Sequence, residues 1–174
     1  MPDAIGGGIS FFLVWLFVTA ALHKARAPQY YLRLVAYYVP VKTGGRVLVS
    51  LIALVEFSIT ALLLLPALHE AGLAAAALLL VVYAALMGFQ VARGRTDLEC
   101  GCAGPGSTLR VGSALIVRNL VCACLAALAM TSPGAWPAGP GNTFLALVTA
   151  VLLISAYRVY EQAIANAQAM EEEI

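Results

Sequence analysis

The sequence predicts an all-α fold, a polytopic membrane bundle of about five transmembrane helices with one short interfacial helix. Of the 174 residues, 62% are hydrophobic and only 11% are charged, whereas an average soluble domain has about 25% charged residues. Five apolar stretches divide the chain, and each approaches the ~20 residues that a helix needs to cross a bilayer. The length fits a single domain over residues 1–174.

Composition and charge exclude several classes of protein. A mean hydropathy of +0.91 is too high for a disordered chain or an ordinary soluble enzyme. A net charge of +1 provides no strongly basic face for nucleic acid. The lipid bilayer is therefore the expected partner of most of the surface.

The predicted membrane spans follow from where charged residues are missing. The first stretch has no positive residue before it and ends at the basic flank His23-Lys24-Ala25-Arg26, so we expect a permanent helix rather than a cleaved signal peptide. The fifth stretch is the shortest, and Arg158 closes it. The spans are expected near 4–22, 47–68, 71–92, 111–131 and 143–160.

The link after the first span predicts a short helix that lies on the membrane. Segment 29–39 is bracketed by two prolines and contains four of the seven tyrosines. In a helix, Tyr30, Leu34 and Tyr38 would share one face. This pattern is typical of an interfacial helix. Its role is open between anchoring the chain and lining a binding site.

The basic residues predict an orientation. All ten lysines and arginines fall on loops or span ends that belong to one side of the predicted bundle. The positive-inside rule then puts the N-terminus outside and the C-terminus in the cytoplasm. The loop between the third and fourth spans would face the cytoplasm as well.

That loop contains the strongest candidate for reactive chemistry, Cys100-Gly101-Cys102. Gly101 permits the tight turn that brings two thiols together. A disulfide between residues i and i+2 would be strained, and strain makes a disulfide easily reduced. Alternatively, two neighbouring thiolates are suitable ligands for copper(I) or zinc. Redox, metal-binding and structural interpretations stay open on spacing alone.

A second cysteine pair, Cys122 and Cys124, lies within the fourth span. Residues i and i+2 point about 200° apart on a helix, so these two thiols cannot bridge each other. Packing is the simplest role for both. Cys122 shares a helix face with Arg118, which makes it the better candidate for a redox relay across the bundle.

Two charged residues are predicted to lie deep inside spans. Glu56 is about 15 Å along its helix from Arg46, and Arg118 is about 12 Å from Arg110. Because an unpaired charge in hydrocarbon costs roughly 3 kcal/mol or more, we expect a buried Glu56–Arg118 ion pair. Asn119 and Gln90 are expected nearby. Such a cluster would either lock the bundle or form a polar pocket for a quinone head group or a proton path.

The order of these features resembles the MauE branch of the MauE/DoxX family of membrane proteins. The resemblance covers most of the chain, from about the first span to the fourth. Its residues are His23-Lys24-Ala25-Arg26-Ala27-Pro28, Tyr37-Tyr38-Val39-Pro40, Val55-Glu56, Cys100-Gly101-Cys102 and Val117-Arg118-Asn119.

The resemblance implies a small helical bundle in the bacterial inner (cytoplasmic) membrane that takes part in thiol redox chemistry. It implies a thioredoxin-like partner and a role in methylamine utilisation, where MauE is linked to maturation of the disulfide-rich small subunit of methylamine dehydrogenase. DoxX relatives are linked to quinone-coupled sulfur oxidation, which makes a quinone a conceivable cofactor. Thiol–disulfide exchange through Cys100 and Cys102 is the leading hypothesis. A copper(I)-handling protein and a non-catalytic assembly subunit are the alternatives.

Overall fold

The computed structural model describes residues 3–38, 44–95, 104, 109–132 and 139–172. Every regular element in these ranges is helical, which confirms the predicted fold class. Cys100 and Cys102 lie outside the described residues. The helices are α1 Asp3–Arg26, α2 Pro28–Tyr38, α3 Gly45–Leu64, α4 His69–Ala92, α5 Ser113–Ala129 and α6 Pro140–Glu172, with a 3-10 turn at Pro66–Leu68 between α3 and α4.

Within the described residues, four segments are long and apolar enough to cross a membrane, by length and composition: Ala4–Arg26, Gly45–Leu64, Pro66–Ala92 and Pro140–Met170. The helix α5 is also apolar but has only 17 residues. It begins later than the predicted 111–131, because Leu109 and Val111 are buried in an extended segment that precedes it. The protein is thus a multi-pass membrane bundle.

The first helix occupies the middle of this bundle. It packs against α3, α5 and α6, while α4 packs against α3 and α5. The helices α1 and α6 approach closely at Gly8, where an added Cβ would lie 2.5 Å from the Cβ of Thr149. Further along the same helix pair, Phe12 and Trp15 of α1 both pack on Tyr157 of α6. The ring centroids are 5.8 Å apart in each pair. A side chain at Gly8 would therefore separate the two helices.

Large apolar side chains cover the outer surface of the bundle. Leu78 on α4 is 67% exposed, and Leu152 on α6 is 64% exposed. Such surface would be costly in water but matches the acyl chains of a bilayer. The exposed apolar faces therefore agree with the membrane environment that the composition predicts.

The last helix is longer than the predicted span 143–160. It continues through the polar tail to Glu172. Gln168 holds this extension against the start of α5, since its side chain accepts a hydrogen bond from the Arg110 N–H at 2.9 Å and donates one to the Arg110 carbonyl at 3.1 Å. The extension thereby pairs with both backbone groups of Arg110.

The two ends of the bundle differ in charge. The end at which α1 finishes and α3 begins carries Lys24, Arg46, Arg93 and Arg110, and we call it the basic end. The opposite end, called the His69 end, is where α4 begins, and there Ser10 of α1 contacts His69.

Candidate functional site

The carboxylate of Glu56 is completely buried at the junction of three helices. Its Oε1 accepts hydrogen bonds from Nζ of Lys24 on α1 and from the hydroxyl of Tyr83 on α4, both at 2.8 Å. Its Oε2 is buried and has no hydrogen-bond partner among the described residues. Glu56 thus ties α3 to α1 and α4 inside the bundle.

A second buried ion pair joins α5 and α6. Nη1 of Arg118 lies 2.8 Å from Oε1 of Glu161, and the two side chains are only 3% and 8% exposed. The Arg118 guanidinium also lies 5.2 Å from the ring centroid of Tyr157. Arg158 is much more exposed and lies 3.9 Å from the other oxygen of Glu161. Arg118 is therefore held by a carboxylate and an aromatic ring of the same helix.

The predicted ion pair between Glu56 and Arg118 is wrong. The structure pairs Glu56 with Lys24 and Arg118 with Glu161 instead. Lys24 looked like part of a basic flank, and Glu161 looked like part of a solvated tail beyond Arg158. Both side chains turn inward because their helices continue past the apolar stretch and keep one face against the bundle.

Sequence reasoning missed Glu161, although a signal for it exists. Tyr157, Glu161, Ile164 and Gln168 recur at helical spacing, so they share one face of α6. Ile164 is buried in a small cluster with Leu115 and others at the basic end. Extending this periodicity beyond Arg158 would have identified Glu161 as an inward-facing acid.

Gln90 and Asn119 are buried as expected, and the described contacts do not link them to the charged groups in one pocket. The described part of the chain gives Oε1 of Gln90 and Nδ2 of Asn119 no hydrogen-bond partner. Gln90 lies on α4 two turns beyond Tyr83, and Asn119 follows Arg118 on α5. Among the described residues, the polar interior of the basic end therefore includes groups from α1, α3, α4, α5 and α6, with two separate ion pairs within it.

The two cysteines of α5 have different environments. Cys122 is buried in the main core cluster, whereas Cys124 is exposed on the outer face, and both thiols are free. The helical geometry keeps them apart, as their spacing predicts. Cys122 follows Arg118 by about one helical turn, which brings it near the ion pair of α5 and α6.

Gly104 lies close to His23 at the basic end. This residue has φ of +91°, and an added Cβ would lie only 2.7 Å from Nδ1 of His23. Glycine is required there both by the left-handed backbone and by the close approach. Nδ1 of His23 is itself buried, with no hydrogen-bond partner in the described ranges. Gly104, two residues after Cys102 in the sequence, therefore lies against the last turn of α1.

The described residues contain no group of three or more His, Cys, Asp or Glu side chains that could hold a metal ion. The metal-binding alternative rests on Cys100 and Cys102, which lie outside the described ranges. It stays a prediction from the sequence.

Comparison with known proteins identifies the family. The family model described as methylamine utilisation protein MauE matches residues 2–132. A methylamine utilization protein MauE of Paracoccus denitrificans is 37% identical over 150 residues, which cover 83% of this chain and 81% of the relative. Its counterpart from Paracoccus versutus is 30% identical over 149 residues, covering 84% and 80%. No solved structure matches the chain. The chain therefore belongs to the MauE family of membrane proteins.

Proposed function

We propose that this protein performs thiol–disulfide exchange in the bacterial inner membrane, with Cys100 and Cys102 as the exchanging pair. The observation that carries the proposal is the contact between Gly104 and His23. It places Gly104, which follows Cys102 by two residues in the sequence, beside the last turn of α1 at the basic end of the bundle. Both relatives are named for methylamine utilisation, and we propose the same process for this protein.

The exchange reaction needs no component besides a partner thiol pair. With the pair oxidised, a thiolate of the partner attacks one sulfur of the Cys100–Cys102 disulfide and forms a mixed disulfide. The second thiolate of the partner then attacks that bond, so the partner leaves oxidised and both cysteines leave as thiols. Two electrons pass to this chain, and two protons follow them. A thioredoxin-like protein is the class of partner that offers such a dithiol.

Charges of both signs lie near the cysteine pair in the sequence, where Asp97 and Glu99 favour the thiol and the arginines favour the thiolate. Arg93 and Arg95 precede the loop, and Arg110 follows it, so cations flank both of its ends. Cations favour the thiolate over the thiol. The imidazole of His23 lies against Gly104, two residues after Cys102.

The proposed orientation follows the positive-inside rule, with the N-terminus outside and the cysteine loop in the cytoplasm. All the described basic clusters lie at one end of the bundle, as that rule requires. Side-specific labelling tests it in intact cells. A membrane-impermeant thiol reagent added from outside should leave Cys100 and Cys102 unmodified until the membrane is opened. Labelling from outside would show that the orientation is the opposite one and that the cysteine loop meets a periplasmic partner.

The central test measures the redox state of the pair. The purified protein is equilibrated with dithiol and disulfide buffers, and free thiols are trapped and counted. The pair should convert reversibly between two thiols and one disulfide, and the double variant Cys100→Ser, Cys102→Ser should lose this transition. Cys124→Ser is the matched control, because that thiol is exposed on the outer face of α5, and it should leave the transition intact. A pair that stays reduced in oxidising buffer while it binds copper(I) would replace the proposal with the metal-handling alternative.

Two glycine variants test whether the contact between Gly104 and His23 matters for the exchange. Gly104→Ala places a methyl group against His23, whereas Gly94→Ala has the same left-handed strain with φ of +72° but nothing within 4 Å. Gly104→Ala should change the rate of exchange with a dithiol several-fold more than Gly94→Ala does. Equal rates in the two variants would mean that the His23 contact is irrelevant to the chemistry.

A further inference from the structure

A groove of about 670 Å³ opens on the outer surface of the bundle at the basic end. It lies between the last turn of α1, the first residue of α2 and the outward face of α3. The thiol chemistry proposed above makes no use of it. Its principal lining residues are Lys24, Arg46, Ser50, Leu51, Leu54 and Phe57.

The lining changes from charged to apolar along the helix axis. Arg46 is at the basic end, Ser50 lies about one turn further, and Leu54 and Phe57 follow on the same face of α3. From Arg46 to Phe57 the helix rises ~16 Å. That length is close to half of the ~30 Å hydrocarbon core, so the groove extends over about one leaflet.

The charges at the mouth of the groove do not cancel. The charge of Lys24 is matched by Glu56, at 2.8 Å. Arg46 is exposed, and no carboxylate in the described part of the chain lies within ion-pair distance of it. The described residues that line the groove include no acid. The mouth therefore carries about one uncompensated positive charge.

We propose that this groove binds one anionic phospholipid. The phosphate group lies between Arg46 and Lys24, and one acyl chain follows Leu51, Leu54 and Phe57 into the leaflet. A cation at the membrane surface next to an apolar slot complements a lipid that has a negative head group and a chain of matching length. A zwitterionic lipid would bring its own ammonium group next to Arg46. A quinone head group has no negative charge and would leave the charge of Arg46 unpaired.

The test uses the full-length protein in nanodiscs made from equal parts of phosphatidylglycerol and phosphatidylcholine. Native mass spectrometry after release from the nanodisc counts the lipids that stay bound. One phosphatidylglycerol should be retained in preference to phosphatidylcholine. Arg46→Gln should lower this preference about fivefold, and Arg46→Lys should restore most of it. Arg33→Gln is the control, because Arg33 is an exposed cation on α2 outside the groove.

A second variant tests the chain slot without changing charge. Leu54 is 59% exposed in the groove, so Leu54→Trp adds bulk there with little effect on the core. It should also lower the retention of phosphatidylglycerol. Equal retention of both lipids by the unmodified protein, equal losses in Arg46→Gln and Arg33→Gln, or displacement of the bound lipid by ubiquinone would each overturn the proposal. None of these results depends on the thiol chemistry.

Discussion

The basic end and the His69 end of this bundle stabilise their buried polar groups differently. At the basic end, two buried carboxylates pair with two cations, one pair between α1 and α3 and one between α5 and α6. At the His69 end, the imidazole of His69 donates from Nδ1 to the carbonyl of Leu63 at 2.8 Å, and its Nε2 shares a hydrogen bond with Ser10 at 3.0 Å. Ion pairs connect helices at one end, and bonds to hydroxyl and carbonyl groups connect them at the other.

The difference shows how polar residues become tolerable in an apolar bundle. A charge buried in low dielectric must have an opposite charge at contact distance, whereas a hydrogen-bonding group needs only a partner of suitable geometry. Removing one member of an ion pair should therefore cost more than removing one hydrogen bond. The following substitutions test this order, from the largest expected effect to the smallest.

Glu161→Ala should be among the most destabilising single changes at the basic end. It removes the carboxylate that lies 2.8 Å from the buried Arg118 guanidinium. Loss of one member of a buried pair costs roughly 3 to 5 kcal/mol. Thermal unfolding in a fixed detergent would show a large decrease in the melting temperature. Arg158→Ala is the control, because its contact with the same carboxylate is long and exposed, and it should cost under about 1 kcal/mol.

Glu56→Leu should destabilise the protein by roughly 3 kcal/mol, because Lys24 then loses its buried carboxylate. The double variant Lys24→Met, Glu56→Leu removes both charges and should recover most of that stability. Chemical unfolding of the two single variants and the double variant gives the coupling energy. Additive losses would show that the contact at 2.8 Å contributes little.

Tyr83→Phe should have an intermediate effect of about 1.5 kcal/mol, since a hydrogen bond to a charged group exceeds one between neutral groups. The hydroxyl of Tyr83 donates to Glu56 inside the bundle at 2.8 Å. Tyr160→Phe is the matched control, because that hydroxyl donates to the Ala114 carbonyl at 3.1 Å from an exposed position. The same unfolding measurement should show a smaller loss for Tyr160→Phe.

Ser10→Ala at the His69 end should cost about 1 kcal/mol, the worth of an ordinary buried hydrogen bond. Ser58→Ala removes an exposed hydroxyl that bonds only to its own helix and should be nearly neutral. A loss for Ser10→Ala as large as that for Glu161→Ala would remove the distinction between the two ends.

Particular residues show how far the sequence predicts this site. Glu56 and Arg118 were predicted to be buried because each interrupts an apolar stretch, and both are. Their partners could not be predicted in the same way. Lys24 and Glu161 stand in stretches that contain other charges, so composition alone does not separate an inward-facing charge from a solvated one. Only the helix faces, extended past the apolar stretches, distinguish them.

The sequence by itself determined the fold class, the membrane environment and the family, because hydropathy and motif order are properties of the chain. The tertiary structure decided which charges meet. Lys24 reaches Glu56 because α1 packs on α3, and Arg118 reaches Glu161 because α6 extends beyond its apolar segment beside α5. An ion pair depends on distances between helices that are far apart in sequence, and no local pattern encodes those distances.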